Sequence, residues 1–315
     1  MRFLAILPIV LSAVALILTF LCVFAGNTTG FMEDYALITL NTSRFGENIV
    51  NLTSSSSSSD SSNVLQNIWN DITNTVSQDI NDEINAVAKE LGLRDFYSLH
   101  SLTYCEGYYE PGAIPNATLS RSQIWQNTTW CSARTALFTW DPRQEIQKQL
   151  NASGAGYIDI TKLNWPTQLD DNIHDIQTTF KAAFVIYCIA IALFFIAFIT
   201  AVLSIFFLGR IWTMVNIAVD TLSFIAVLIA SALITAVMQQ GAKNINGYGE
   251  EVGIEAYYSS KFLAITWVAT GLAFVASCVW CVDCCIGRRD KRDRRSKRLN
   301  SYEDGHHLAD TKAFS

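Results

Sequence analysis

The sequence predicts an all-α transmembrane four-helix bundle carrying one large extracellular α+β loop, and three observations lead there. Half of the 315 residues are hydrophobic and only 16% are charged, against roughly a quarter charged in ordinary soluble domains. The apolar residues are gathered into four runs separated by polar stretches of very unequal length, the pattern of a chain that crosses lipid repeatedly. Six Asn-x-Ser/Thr sequons, starting at Asn27, Asn41, Asn51, Asn116, Asn127 and Asn151, all fall between the first run and the second.

The first run, Phe3 to Ala25, holds no charge, and a helix of that length spans roughly 34 Å, enough for a bilayer core. A cleaved signal peptide is the rival reading, since Val23, Phe24 and Ala25 suit signal peptidase. The run exceeds the roughly 7 to 15 residues of a signal core, so residues 1–25 are expected to be the first transmembrane helix. The second run is Ala182 to Leu208 and the third Ile211 to Met238. Only Gly209 and Arg210 separate them, which requires a tight antiparallel hairpin. The fourth begins at Phe262 and fades near Cys281, with the helix expected over 262–285. A loop domain at 26–181, a short loop at 239–261 and a tail at 286–315 complete the division.

Basic residues near span ends mark the cytoplasmic side. They cluster directly after the fourth run as Arg288, Arg289, Lys291, Arg292, Arg294, Arg295, Lys297 and Arg298, which places the tail inside. Counting back puts the N-terminus and Arg210 inside and both longer loops outside. The sequons agree, because all six sit in the segment that charge counting assigns to the secretory lumen. That segment carries 18 acidic and 9 basic residues.

Within the large loop, Tyr35 to Leu40 reads as a short β segment ending at Asn41-Thr42-Ser43, and Ser54 to Ser59 as a flexible linker. From Asn63 to Leu91 apolar residues recur at three and four, with Gly92 placed as a C-cap, which predicts one amphipathic helix. Its stripe packs on the loop or the membrane surface, or it meets a neighbouring subunit. Cys105 and Cys131 are the only cysteines of the loop. In an oxidising lumen they are expected to pair, a closure worth about 3 to 4 kcal/mol in the chain-entropy model. The alternative of free reactive thiols lacks a basic cluster to lower a thiol pKa.

Asn41-Thr42-Ser43, the stretch from Tyr97 to Gly107 closing on Tyr-Cys-Glu-Gly, Trp130-Cys131-Ser132 and Asp141-Pro142 together resemble the fungal Sur/PalI family of claudin-like four-span proteins. The similarity covers roughly Met1 to Gly287. True claudins have Gly-Leu-Trp before the first loop cysteine, where this chain has Leu102-Thr103-Tyr104, so pore and tight-junction chemistry is not carried over. The resemblance implies a fungal plasma-membrane protein of stable cortical patches near eisosomes that influences cell-wall organisation and endocytosis. The PalI branch instead assists ambient-pH sensing, often with a much longer tail than the 30 residues at 286–315. An auxiliary subunit of a pH-sensing or channel complex is therefore the alternative function.

The remaining polar features are weighed one by one. Asp220 in the third run, with Asn216 a turn earlier on the same face, reads as polar glue facing the bundle or as a proton or ion relay. Cys278, Cys281, Cys284 and Cys285 flank the basic tail. Palmitoylation, at Cys281, Cys284 and Cys285, and packing as small apolar residues both fit, while zinc lacks further ligands. The basic tail suits anionic inner-leaflet lipid at about 1 kcal/mol per charge and not nucleic acid. Histidines in the large loop are confined to His100 and His174, His100 reading as an ordinary loop residue. Motifs for catalysis, for a metal and for a cofactor are lacking. The expectation is a non-enzymatic protein whose partners are membrane lipids, copies of itself or a cortical complex, and cell-wall polymers.

Overall fold

A computed structural model describes residues 3–45, 92–113, 119–152, 167–206, 210–249 and 253–285. The expected helix over Asn63–Leu91, the serine run, the sequons at Asn51 and Asn116 and the basic tail lie outside these residues. In chain order the elements are α1 (Phe3–Phe24), β1 (Ile38–Asn41), β2 (Phe96–Leu99), β3 (Tyr104–Glu110), β4 (Trp125–Cys131), α2 (Pro142–Ala152), α3 (Thr167–Phe206), α4 (Arg210–Gly249) and β5 (Glu255–Tyr258). A last helix, α5, covers Ser260–Cys285. Helices α1, α3, α4 and α5 are long and apolar enough to cross a membrane.

The helices are apolar outside and small or polar inside, as lipid requires. Ile17, Leu222 and Phe274 are 58%, 56% and 52% exposed, whereas Ala183, Ala190, Ala197 and Ala201 on α3 and Ala269, Ala273 and Ala276 on α5 are buried. Small residues at that spacing let helix backbones approach closely where no water drives association. At 40 residues each, α3 and α4 reach about 60 Å, twice the hydrocarbon thickness. α3 starts well before the apolar run at Ala182, and α4 continues past Met238.

The chain divides into two compact units. One comprises Met1–Leu18, Ile189–Val227 and Val268–Ser315, the other Thr19–Cys188 and Leu228–Trp267. In the second unit the strands form one antiparallel sheet in the order β4-β3-β2-β1-β5. Leu40 faces Tyr97 on one side and Ala256 on the other, so β1 is covered at both edges. The strand therefore begins at Ile38 and includes Asn41, later than the segment Tyr35–Leu40 read from alternation. Glu33–Tyr35 instead forms one 3₁₀ turn, and backbone pairing with β2 opens at the Leu37 amide, which donates to the Leu99 carbonyl at 2.7 Å.

One sheet face is apolar. Ile38 and Leu99 meet Ile173, Ile176 and Phe180 of α3 and Val237 and Ile245 of α4 around a cavity of about 50 Å³. The polar extensions of α3 and α4 therefore have a packing partner. Tyr187 of α3, Ser231 of α4 and Thr266 of α5 are joined by hydroxyl hydrogen bonds, which tie these three helices together.

Candidate functional site: an open groove on the loop sheet

The motif residues build the scaffold of the sheet. Tyr104 is the hub of an aromatic cluster with Trp130, Phe138 and Trp140 at centroid distances of 5.7, 5.9 and 6.3 Å. Cys105 and Cys131, directly opposite on β3 and β4, form a disulfide. Glu106 accepts from Arg94 Nε at 3.2 Å and from Gln149 Nε2 at 3.1 Å. Burial raises its carboxyl above the usual range, and the Arg94 guanidinium opposes that rise. At Gly107 the ladder is irregular, and a Cβ would lie 2.1 Å from the Asn127 carbonyl oxygen, so that approach requires glycine. Ser132 closes the ladder by exchanging two hydrogen bonds with the Tyr104 backbone, 2.8 and 3.1 Å. Asp141 caps α2, its carboxylate accepting from the Arg143 and Gln144 amides, and Pro142 occupies the first helical position.

Tyr-Cys-Glu-Gly, Trp-Cys-Ser and Asp-Pro are thus structural, and what they hold up is the opposite sheet face. There Thr39, Asn41, Tyr109, Gln126, Glu255 and Tyr257, with Glu33, Asp34, Arg121 and Lys261 at the rim, line an open groove of about 840 Å³ that Trp125 and Tyr258 border from the strand ends. Trp125 and Tyr258 are 57% and 45% exposed. Arg121 donates to the Tyr257 hydroxyl at 2.8 Å and lies over its ring. Lys261 pairs with the Asp34 carboxylate. Burial pushes the Tyr109 hydroxyl up to about 12, so at neutral pH it is a neutral donor. The groove presents carboxylates, amides, hydroxyls and partly exposed aromatic side chains, a combination suited to polyhydroxylated ligands whose hydroxyls need hydrogen bonds and whose C–H faces stack on aromatic rings.

The residues singled out in the sequence fall in separate places. Asn41 lines the groove, its Oδ1 accepting from the Ser43 amide and hydroxyl at 3.0 and 2.7 Å. Asn127 is exposed on β4 and donates to Glu110; Asn27 is half-buried just after α1, and Asn151 is exposed near the end of α2. Cys278, Cys281 and Cys285 are exposed and Cys284 half-buried on the last turns of α5. Among the described residues no group of three or more His, Cys, Asp or Glu could hold a metal. Asn216 and Asp220 are buried, and Ser12 of α1 donates to Asp220 at 3.1 Å.

Two features were not read from the sequence. His100, which in the sequence reads as an ordinary loop residue, is 1% exposed. It sits in the β2–β3 turn, where Ser101 donates to the Cys22 carbonyl in the last turn of α1 and Thr103 to the Gly26 carbonyl just beyond it. The segment 239–261, taken as a short loop, supplies the last turns of α4 and the edge strand β5. The only signal for β5 is the alternation of Glu255-Ala256-Tyr257-Tyr258.

The sequence profile of the SUR7/PalI family matches residues 4–279. The chain belongs to this family. Searches of curated proteins and of solved structures return no match. The SUR7/PalI match extends from α1 through most of α5 and so includes every strand of the sheet. Together with four apolar helices, it makes this a multi-pass membrane protein of the SUR7/PalI family with a claudin-like four-span fold.

Proposed function

We propose that this SUR7/PalI protein is a non-enzymatic organiser of the fungal plasma membrane, of the eisosome-associated type, acting in cortical patches that influence the cell wall and endocytosis. The observation that carries the reading is the open, aromatic-rimmed polar groove on a sheet stitched together from both inter-span segments. In this reading the sheet lies outside the cell, as the six sequons and the basic tail support, and the groove holds a sugar polymer of the wall. Both termini are cytoplasmic. The arginine-rich tail, with acylation at Cys281, Cys284 and Cys285, binds anionic inner-leaflet lipid and assembles with copies of the chain or cortical proteins.

A fluorescent fusion imaged in living cells tests this. The expected result is immobile surface patches that dissolve when residues 278–298 are deleted and become mobile in Trp125→Ala/Tyr258→Ala. An even distribution through internal membranes would overturn the proposal. Patches that persist unchanged in the groove variant would remove the wall contact from it.

A further inference from the structure

We propose that Asp220, Asn216 and Ser12 form a binding site for one monovalent metal cation, Na⁺ or K⁺, inside the helical part of the protein. Asp220 on α4 is 2% exposed. Its Oδ1 accepts from Ser12 Oγ of α1 at 3.1 Å, while its Oδ2 makes no hydrogen bond of ordinary geometry, the Trp280 indole N–H being the donor that approaches the carboxylate. Asn216, one turn earlier, is fully buried, and neither its amide oxygen nor its amide nitrogen has a partner. Unpaired polar atoms of this kind are costly in a protein interior, so a partner for them is favoured. Side chains four apart on a helix have Cβ atoms about 5 to 6 Å apart, a gap that a cation bridging carboxylate and amide oxygens can span.

The charge balance selects a monovalent ion. Among the described side chains of this unit there is no Lys, Arg or His. Arg210 lies ten residues, about 15 Å, before Asp220 along α4. The other carboxylate, Asp283, is half-buried and engaged in an interaction of its own. One buried negative charge is neutralised by one positive charge, whereas a divalent ion would leave a net positive charge in an apolar interior. The donors are hard oxygens, which suit alkali cations and not zinc or copper. Ser12 can donate its proton to Asp220 while its lone pairs face the ion. Trp280, fully buried, packs with Ala201, Ile9 and Ile217 beside these residues and shields the site from bulk water.

The full chain in lipid nanodiscs tests the site. NaCl or KCl is titrated against choline chloride at constant ionic strength and pH while the thermal midpoint is followed. A saturable rise with Na⁺ or K⁺ is expected, abolished in Asp220→Asn and displaced to roughly tenfold higher salt in Asn216→Ala and Ser12→Ala. If Asp220→Asn does not fold, the two neutral substitutions carry the comparison. The proposal is overturned by equal midpoints in all three salts, by a rise that survives in Asp220→Asn or is unmoved in both neutral variants, by a response to Mg²⁺ or Ca²⁺ alone, or by a response to pH alone, which would make the occupant a proton.

Discussion

Gly26 and His100 are in direct contact: a Cβ placed on Gly26 would lie 2.0 Å from His100 Nδ1. Gly26 has φ +66°, so the chain leaving α1 turns through the left-handed region and lets the imidazole lie against bare backbone. Ser101 and Thr103 fix the same turn to the Cys22 and Gly26 carbonyls at 2.9 Å. This is how the sheet is attached to the end of a membrane helix.

Gly26→Ala combines a left-handed alanine, about 1 to 2 kcal/mol, with overpacking against a buried ring, about 1 to 3 kcal/mol. The expected loss is about 2 to 5 kcal/mol, read as a lower thermal midpoint in detergent and lower surface abundance. Adding His100→Ala makes room for the new methyl, so the double variant should lose less than the sum of the singles. Strict additivity would contradict the contact.

His100 also makes stability depend on pH. Burial lowers its pKa from 6.5 to about 4, so the folded protein holds a neutral ring where the unfolded chain would bind a proton. Nothing is lost above pH 6.5, and stability falls as pH drops from 6.5 toward 4, by at most about 3 kcal/mol. Replacing His100 with Gln should flatten that limb of a midpoint-versus-pH curve relative to wild type. An unchanged slope would assign the acid sensitivity to other groups.

The Cys105–Cys131 bridge closes a 26-residue separation, so Cys105→Ser/Cys131→Ser should cost about 3 to 4 kcal/mol. Dithiothreitol should lower the wild-type midpoint by a similar amount and leave the double variant unchanged. A reductant effect that persists in the double variant would point to a different thiol.

Asp141 offers a milder and more local test. Asp141→Ala leaves the Arg143 and Gln144 amides without their acceptor and should cost about 0.5 to 2 kcal/mol, with Asp141→Asn retaining most of the stability. Hydrogen exchange at the first turn of α2 should accelerate in the alanine variant while exchange in β2 and β3 stays unchanged. Uniform acceleration would show that the cap supports the whole sheet.

Much of the scaffold was legible residue by residue. Tyr104, Cys105, Glu106 and Gly107 stood out as a motif, and each has a separate structural duty: ring hub, bridge, ion pair and close approach. The groove was not legible, because its wall residues Thr39, Gln126 and Glu255 are ordinary polar residues in three distant segments. His100 escaped for a related reason, since a lone histidine among hydroxyl residues carries no sign of burial.

Hydropathy is a local property, so the four apolar helices followed from the sequence alone. Strand pairing is not local. Leu40 and Ala256 are far apart in the chain and adjacent in the sheet, and no spacing in either segment announces the other. Only the tertiary structure decided that β5 closes the sheet edge, that a polar groove opens on its outer face, and that Ser12 meets Asp220. Each depends on backbone hydrogen bonds or helix contacts that form once distant segments have been brought together.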